Sequence, residues 1–72
     1  MDELNIKVFV YRDGLLEKIH QFEYSYQVRA YVKRKRLQGY TCDILWFDKG
    51  KVFARVRLKP ISLDSYMAFR KV

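Results

Sequence analysis

The stretch that most constrains the fold is residues 24–40, YSYQVRAYVKRKRLQGY, because it carries the apolar period of an α-helix. Four residues fall within one quadrant of such a helix at about 100° per residue: Tyr24, Val28, Tyr31 and Val32. This quadrant is the face expected to bury against a sheet. Ser25 is the expected N-cap, and Gly39 is the residue expected to take a left-handed conformation just beyond the end of the helix.

Two further stripes run along the predicted helix. One is basic, has i, i+4, i+7 spacing, and comprises Arg29, Lys33 and Arg36. The other is apolar, lies roughly opposite the core face, and comprises Tyr26, Ala30 and Leu37. We expect the basic stripe to track a phosphate backbone, and the apolar stripe to be covered by a partner or by the C-terminal segment.

The residues before the helix predict a β-hairpin. Residues 4–11 alternate between apolar and other side chains with the period of a strand, and residues 15–23 predict a second strand. Asp13-Gly14 between them is a strong signal for a type I′ turn. A two-residue loop predicts the pairs Val8 with Ile19, Phe9 with Lys18, and Tyr11 with Leu16. It also predicts an aliphatic face and an aromatic face, with Lys7, Lys18 and His20 on the aromatic side.

The residues after the helix predict a second hairpin, with strands over residues 41–47 and 51–59. A type I turn with Gly50 as a bulge residue would set Phe47 opposite Lys51 and Asp43 opposite Arg55. One predicted face is apolar and comprises Cys42, Ile44, Trp46, Val52, Ala54, Val56 and Leu58. The opposite face is aromatic and basic and comprises Leu45, Phe47, Phe53, Arg55, Arg57 and Lys59.

This element order predicts an α+β fold of the two-layer ββαββ type, with a four-stranded, mainly antiparallel sheet of two hairpins and one helix packed on one face. The 72 residues form a single domain, 1–72, in which 60–72 are a C-terminal extension that can form a short helix. Pro60 should end the fourth strand, because it has no N–H to donate to a ladder. The pattern does not determine the strand order.

Charge and aromatic content together suggest a surface for nucleic acid. The formal net charge is +7, and it divides into −2 over residues 1–23 and +9 over residues 24–72, so one part of the chain should face a polyanion. Aromatic side chains on a sheet can stack on bases while nearby cations contact phosphates. The candidate sheet residues are Lys7, Phe9, Tyr11, Lys18, Phe47, Phe53, Arg55, Arg57 and Lys59, and the basic helix stripe would assist them. DNA and RNA remain equal alternatives.

A protein-interaction module is the alternative function, either a regulator or inhibitor of a larger acidic protein or a homodimer. Apolar side chains lie on both hairpins and on two sides of the helix, which is more than one small core needs. Residues 61–69 are then expected to pack along the apolar stripe of Tyr26, Ala30 and Leu37, or against a second copy of the chain.

Other functional classes have little support in the sequence. Cys42 is the single cysteine, which suggests a reducing, cytoplasmic location and a thiol with a packing role. His20 is the single histidine, so no metal-ligand cluster can be assembled locally. No nucleophile motif, phosphate-binding loop or membrane-length apolar run occurs. We therefore expect a protein that is not an enzyme, with no cofactor, small-molecule substrate or membrane partner.

Overall fold

The computed structural model describes residues 5–61, and these residues confirm the predicted α+β fold. The elements follow the order ββαββ: β1 (Asn5–Arg12), β2 (Leu15–Phe22), α1 (Ser25–Leu37), β3 (Thr41–Asp48) and β4 (Lys51–Leu58). The predicted C-terminal helix, and all of the predicted packing segment 61–69 except Ile61, lie outside the described residues. No helix within residues 5–61 is long and apolar enough to cross a membrane.

The four strands form one sheet in the order β2-β1-β3-β4. Each neighbouring pair is antiparallel, so β2 and β3 point the same way with β1 between them. The helix connects β2 to β3 and packs on one side of the sheet. Because β1 is an inner strand, its alternate residues Ile6, Val8 and Val10 are almost completely buried.

The core forms between α1 and the inner strands. Val28, Tyr31 and Val32 of the helix pack with Ile6, Val8, Val10, Cys42 and Ile44 of the sheet. This confirms three of the four residues predicted for the buried helix face. The prediction for Tyr24 is wrong, because its side chain is 55% exposed. Tyr24 lies one residue before the helix in an extended conformation, with φ −125° and ψ 140°.

The helix ends match the sequence only in part. Tyr24, rather than the predicted Ser25, occupies the N-cap position, and no side chain caps the helix there. Gly39 has a φ of +96°, which confirms its predicted left-handed role after the helix. Three basic residues occupy the last turn, where the helix dipole favours positive charge: Arg34, Lys35 and Arg36.

The first hairpin has the predicted turn but a different register. Asp13 and Gly14 have φ values of 52° and 79°, as a type I′ turn requires, and Tyr11 lies opposite Leu16. A β-bulge then shifts the ladder by one residue. Val8 therefore faces His20, Phe9 faces Ile19 and Val10 faces Lys18, so the predicted partners of Val8 and Phe9 are wrong.

The bulge brings an aromatic pair to the helix side of β2. His20 and Phe22 have ring centroids 4.4 Å apart, and they lie 4.9 Å and 5.2 Å from the ring of Tyr31. Such aromatic contacts contribute about 0.5–1.5 kcal/mol each beyond the area they bury. Ile19, in contrast, is half exposed. His20, predicted to be a surface residue among the aromatic-face side chains, is instead part of this aromatic cluster.

The second hairpin also differs from its predicted register. Lys49 and Gly50 both have positive φ, 53° and 81°, so the loop has two residues and Asp48 faces Lys51. The predicted pairs of Phe47 with Lys51 and of Asp43 with Arg55 are wrong. Their observed cross-strand partners are Val52 for Phe47 and Arg57 for Asp43.

A β-bulge next to this turn restores the predicted apolar face. The register changes between Trp46 and Phe47, so that Phe53 is the extra residue and Trp46 faces Ala54. From Cys42 to Trp46, each residue faces a β4 residue two positions beyond its predicted partner. Because the side-chain period of a strand is two, these residues stay on their predicted sides. Val52 is the exception, since it pairs with Phe47 and so leaves the predicted apolar face.

The hydroxyl of Tyr31 provides a first test of the core. It is buried with no hydrogen-bond partner among the described residues, and burial raises the pKa of Tyr31. A buried polar group without a partner costs about 1–3 kcal/mol. At the lower end of that range, Tyr31→Phe should stabilise the protein by about 1 kcal/mol and raise the melting temperature by about 4–8 °C. Thermal unfolding followed by circular dichroism measures this shift.

Tyr40→Phe is the matched control for that experiment. The Tyr40 hydroxyl donates a hydrogen bond to Glu17 Oε1 at 3.2 Å, so its removal should leave stability unchanged or reduce it. A loss of stability in Tyr31→Phe equal to that in Tyr40→Phe would contradict the assignment of an unsatisfied hydroxyl.

Candidate functional site

The sheet has one face under the helix and one face that no other element of residues 5–61 covers. We name the second face the open face. It takes its residues from all four strands: Asn5, Lys7, Phe9 and Tyr11 from β1, Leu16, Ile19 and Gln21 from β2, Thr41, Asp43, Leu45 and Phe47 from β3, and Val52, Arg55 and Arg57 from β4. It therefore unites most of the aromatic and basic residues predicted from the sequence.

Asp43 organises the basic part of the open face. It is only 2% exposed and accepts two hydrogen bonds from Arg55, at 3.1 Å from Nε to Oδ1 and 2.7 Å from Nη2 to Oδ2. A third comes from Arg57 Nη2 at 3.3 Å. The hydrogen bonds from Arg55 are the main reason that the pKa of Asp43 lies below its usual value, although burial acts in the opposite direction.

The two arginines remain accessible despite these bonds. Their side chains are 59% and 57% exposed, so parts of both guanidinium groups face solvent. Arg57 lies directly across from Asp43 and Arg55 lies diagonally, opposite Leu45. One carboxylate thus orients two cations over the sheet and balances only half of their charge.

Aromatic rings lie beside cations at two places on this face. Lys7 Nζ is 5.1 Å from the ring centroid of Phe47, and Arg57 Cζ is 5.6 Å from that of Tyr11. Because Phe47 pairs with Asn5 and Tyr11 pairs with Thr41, the two places are six residues apart along β1, or roughly 20 Å at 3.3 Å per residue. Phe9, opposite Asp43, lies between them.

Two other residues predicted for this face, Phe53 and Lys59, lie outside the regular pairing of β4 with β3. Phe53 is 59% exposed and is the extra residue of the β4 bulge. Lys59 follows the end of β4, and its carbonyl accepts a hydrogen bond from Arg36 Nε at 2.6 Å.

Lys18 is not brought to the open face. It pairs with Val10, whose side chain is buried toward the helix, because the bulge in β2 reverses the predicted side. This corrects its assignment to the aromatic face of the hairpin.

The basic helix stripe lies on the other layer of the molecule. Arg29, Lys33 and Arg36 border a groove between α1 and the β3–β4 half of the sheet. Since the sheet separates this groove from the open face, the stripe and the sheet cations cannot jointly contact one short strand. The apolar stripe of the helix, which was predicted to contact a partner, is a separate surface. It is accessible at Tyr26 and Ala30, whereas Leu37 is half buried.

One cluster at the C-terminal end of the helix has no counterpart in the predicted site. Arg12 Cζ lies 4.1 Å from the ring centroid of Tyr40, and Lys35 Nζ lies 5.3 Å from the same ring. Arg12 Nη2 also donates to Gln38 O at 3.1 Å. Arg12 lies 26 residues before Gln38 and meets the other three residues only because β1 runs beside β3, so no local pattern could indicate the cluster.

Neither a reactive thiol nor a metal site is found among residues 5–61. Burial raises the pKa of the Cys42 thiol, which keeps it protonated and weakly nucleophilic. No set of three or more His, Cys, Asp and Glu side chains within residues 5–61 is arranged to hold a metal ion.

Comparison with known proteins adds no relative: no protein-family model matches the chain, and no curated protein or solved structure is significantly similar to it.

Proposed function

We propose that the protein binds single-stranded nucleic acid on the open face of its sheet. The observation that carries this proposal is the arrangement of Arg55 and Arg57, which are oriented by Asp43 and remain exposed on the face that also presents aromatic rings. Bases stack on Phe9, Tyr11 and Phe47, and phosphates contact the neighbouring cations. Stacking on aromatic side chains contributes about 1–3 kcal/mol per base in proteins of this kind.

The shape of the open face favours a single strand over a duplex. Reading a duplex through its major groove takes an α-helix or a two-stranded ribbon that can enter the groove. The only helix among the described residues packs on the opposite face. An extended strand, in contrast, can present unstacked bases to rings that lie within a sheet surface.

This mode of binding carries little sequence preference. Every base has an aromatic face, so stacking tolerates all of them. Polar side chains on the open face that could read base edges already have partners. Gln21 Nε2 donates to Asn5 Oδ1 at 2.9 Å, and Asp43 accepts hydrogen bonds from Arg55 and Arg57. We therefore expect similar affinities for different mixed-sequence oligonucleotides.

Fluorescence anisotropy with labelled oligonucleotides tests the proposal. Short dT and rU strands and a duplex of equal length are titrated from about 50 to 300 mM salt. Three phosphate contacts, from Lys7, Arg55 and Arg57, predict a slope of log K against log salt of about −2 for a single strand. Lack of binding at about 50 mM salt, or tighter binding of the duplex, would overturn the proposal.

Phe47→Ala separates stacking from charge. The variant should bind a single strand about 5-fold to 150-fold more weakly, which corresponds to the loss of about 1–3 kcal/mol of stacking, while the salt slope stays the same. Tyr26→Ala is the control, because it removes a 72% exposed ring from the other layer. Equal losses in both variants would contradict a specific role for Phe47.

A further inference from the structure

A cluster of two cations and a ring lies just beyond one end of the open face. Arg12 follows Tyr11 in β1, and Tyr40 precedes Thr41, the cross-strand partner of Tyr11. The cluster is therefore about one residue, or about 3.3 Å, beyond the last ring of the open face. Lys35 joins it from the last turn of the helix. We name Arg12, Lys35 and Tyr40 the end cluster.

The ring of Tyr40 holds the two cations of the end cluster near each other. Arg12 Cζ and Lys35 Nζ lie 4.1 Å and 5.3 Å from its centroid. The two charges are thus less than about 10 Å apart, which is within one Debye length at 0.1 M salt. Arg12 is further fixed by Gln38 O, which accepts a hydrogen bond from Nη2 at 3.1 Å.

The positive charge of the end cluster is not neutralised within residues 5–61. Glu17 is the neighbouring carboxylate, and its Oε1 accepts a hydrogen bond from the Tyr40 hydroxyl at 3.2 Å. Neither Arg12 nor Lys35 forms an ion pair with a carboxylate of residues 5–61. Two ordered cations of this kind can contact a phosphate through charge-assisted hydrogen bonds.

Charge also distinguishes the two ends of the sheet. The end with the end cluster has five basic side chains against two acidic ones: Arg12, Arg34, Lys35, Arg36 and Lys59 against Asp13 and Glu17. At the opposite end, residues 5–61 supply two of each: Lys49 and Lys51 against Glu23 and Asp48. Because a polyanion is drawn to the side of net positive charge, a strand on the open face should leave it at the end cluster.

We propose that the end cluster is a second phosphate-contact site, over which a single-stranded nucleic acid continues when it leaves the open face. This inference rests on the proposed function of the open face and adds the place to which a longer strand extends. Arg57 Cζ is 5.6 Å from the ring centroid of Tyr11, so the last cation of the open face lies beside the residue that precedes Arg12. Only a strand long enough to span both parts contacts Arg12 and Lys35.

A length series of oligo-dT, titrated into the full-length protein, tests the proposal. Strands of about 4 to 16 nucleotides cover the site sizes known for small single-strand-binding domains. The shortest strand should show the slope of log K against log salt of about −2 that three contacts on the open face predict. Two further contacts should steepen the slope to about −3.5 for the longest strand. A longer strand that only offered more binding registers on the open face would leave the slope unchanged.

Arg12→Gln with Lys35→Gln separates the two parts of the site. This double variant should bind the longest strand about 70-fold more weakly at 50 mM salt, with the slope back at about −2. Its affinity for the shortest strand should stay within about fourfold, the effect of two unit charges about 10 Å away in water, which also shows that the variant is folded. Arg29→Gln with Lys51→Gln is the control, because it removes the same charge outside the end cluster. The control should keep a slope of about −3.5 for the longest strand.

Three results would overturn the proposal. One is the same slope for short and long strands in the unchanged protein. Another is an equal loss of slope in the Arg29/Lys51 control, which would make the response one to total charge. The third is a complex of two protein copies on one long strand by light scattering, since the additional contacts would then belong to another molecule. Binding that does not depend on strand length overturns this inference alone, whereas lack of binding by every strand at about 50 mM salt overturns the proposed function as well.

Discussion

Replacing Asp43, Arg55 and Arg57 together by Asn, Gln and Gln should weaken binding of a single-stranded oligonucleotide by about 70-fold at 50 mM salt. The estimate follows from counterion release, because each phosphate contact to a single strand contributes about 0.7 to the slope of log K against log salt. Loss of two contacts should therefore also reduce the slope from about −2 to about −0.7. Anisotropy titrations over a salt series measure both quantities.

The triple replacement is needed because the arginines also hold Asp43 in place. Changing Arg55 and Arg57 alone, to Gln or to Glu, would leave a carboxylate that is 2% exposed without its donors, and such a group is costly. A loss of binding in that variant could then reflect unfolding. Removing the carboxylate with its partners avoids this, and circular dichroism checks that the fold is kept.

A charge-matched control completes the experiment. The triple variant lowers the formal net charge by one, as does Arg34→Gln on the helix. If binding depends only on total charge, the two variants should lose affinity equally, and the assignment of the open face would be wrong. If binding depends on the open face, Arg34→Gln should stay within about threefold of the unchanged protein, which is the effect of one unit charge several ångströms away in water.

The sequence predicted the fold because its strongest signals are local. The helix period at Val28, Tyr31 and Val32, the Asp13-Gly14 turn and the alternation in β1 each depend on neighbouring residues, and all three are present in the structure. The predicted register of the first hairpin failed because a bulge adds one residue to β2. That of the second failed because its loop has two residues and a bulge follows in β4. A bulge depends on what packs across the sheet, here His20 and Phe22 against Tyr31, and a single strand's sequence does not contain that information.

The candidate site was predictable to a similar degree. Alternation along β1 places Lys7, Phe9 and Tyr11 on one face, and Phe47 joins them because β1 and β3 both turn their aliphatic sides to the helix, so those assignments survive. The assignment of Lys18 to this face is wrong because a bulge in β2 turns its side chain to the other face. The basic helix stripe lies on the opposite side of the sheet from the open-face cations. The pairing of Asp43 with Arg55 is present as a hydrogen bond although the two residues are not opposite each other, because a long arginine side chain reaches a diagonal neighbour.

Asp43→Asn should destabilise the protein by about 1.5–3 kcal/mol, since it removes hydrogen bonds between charged groups at a buried position. The melting temperature should fall by roughly 6–24 °C, at about 4–8 °C per kcal/mol for a domain of this size. Urea unfolding at pH 7 gives the free energy directly. An unchanged stability would mean that the arginines contribute nothing to Asp43 in the folded state.

The same contact predicts how stability depends on pH. The pKa of Asp43 is lower in the folded protein than its ordinary value, so its contribution is complete above the unfolded pKa of about 3.9. That contribution is lost as the pH falls below about 4 and through the lower folded pKa. The stability difference between the unchanged protein and Asp43→Asn should therefore be constant from pH 5 to 7 and shrink at more acidic pH, as urea unfolding at each pH would show.

Stability and binding should respond to Asp43→Asn in opposite directions. The carboxylate holds Arg55 and Arg57 in place but also neutralises part of the charge that a phosphate would meet. Its removal should strengthen binding of a single strand by about threefold, the Coulomb energy of one unit charge about 6 Å away in water, provided that the variant is folded at the temperature of measurement. Weaker binding by a folded Asp43→Asn protein would show instead that orientation of the arginines matters more than their net charge. Equal binding, with the stability loss intact, would place the phosphates away from Asp43 and its two partners.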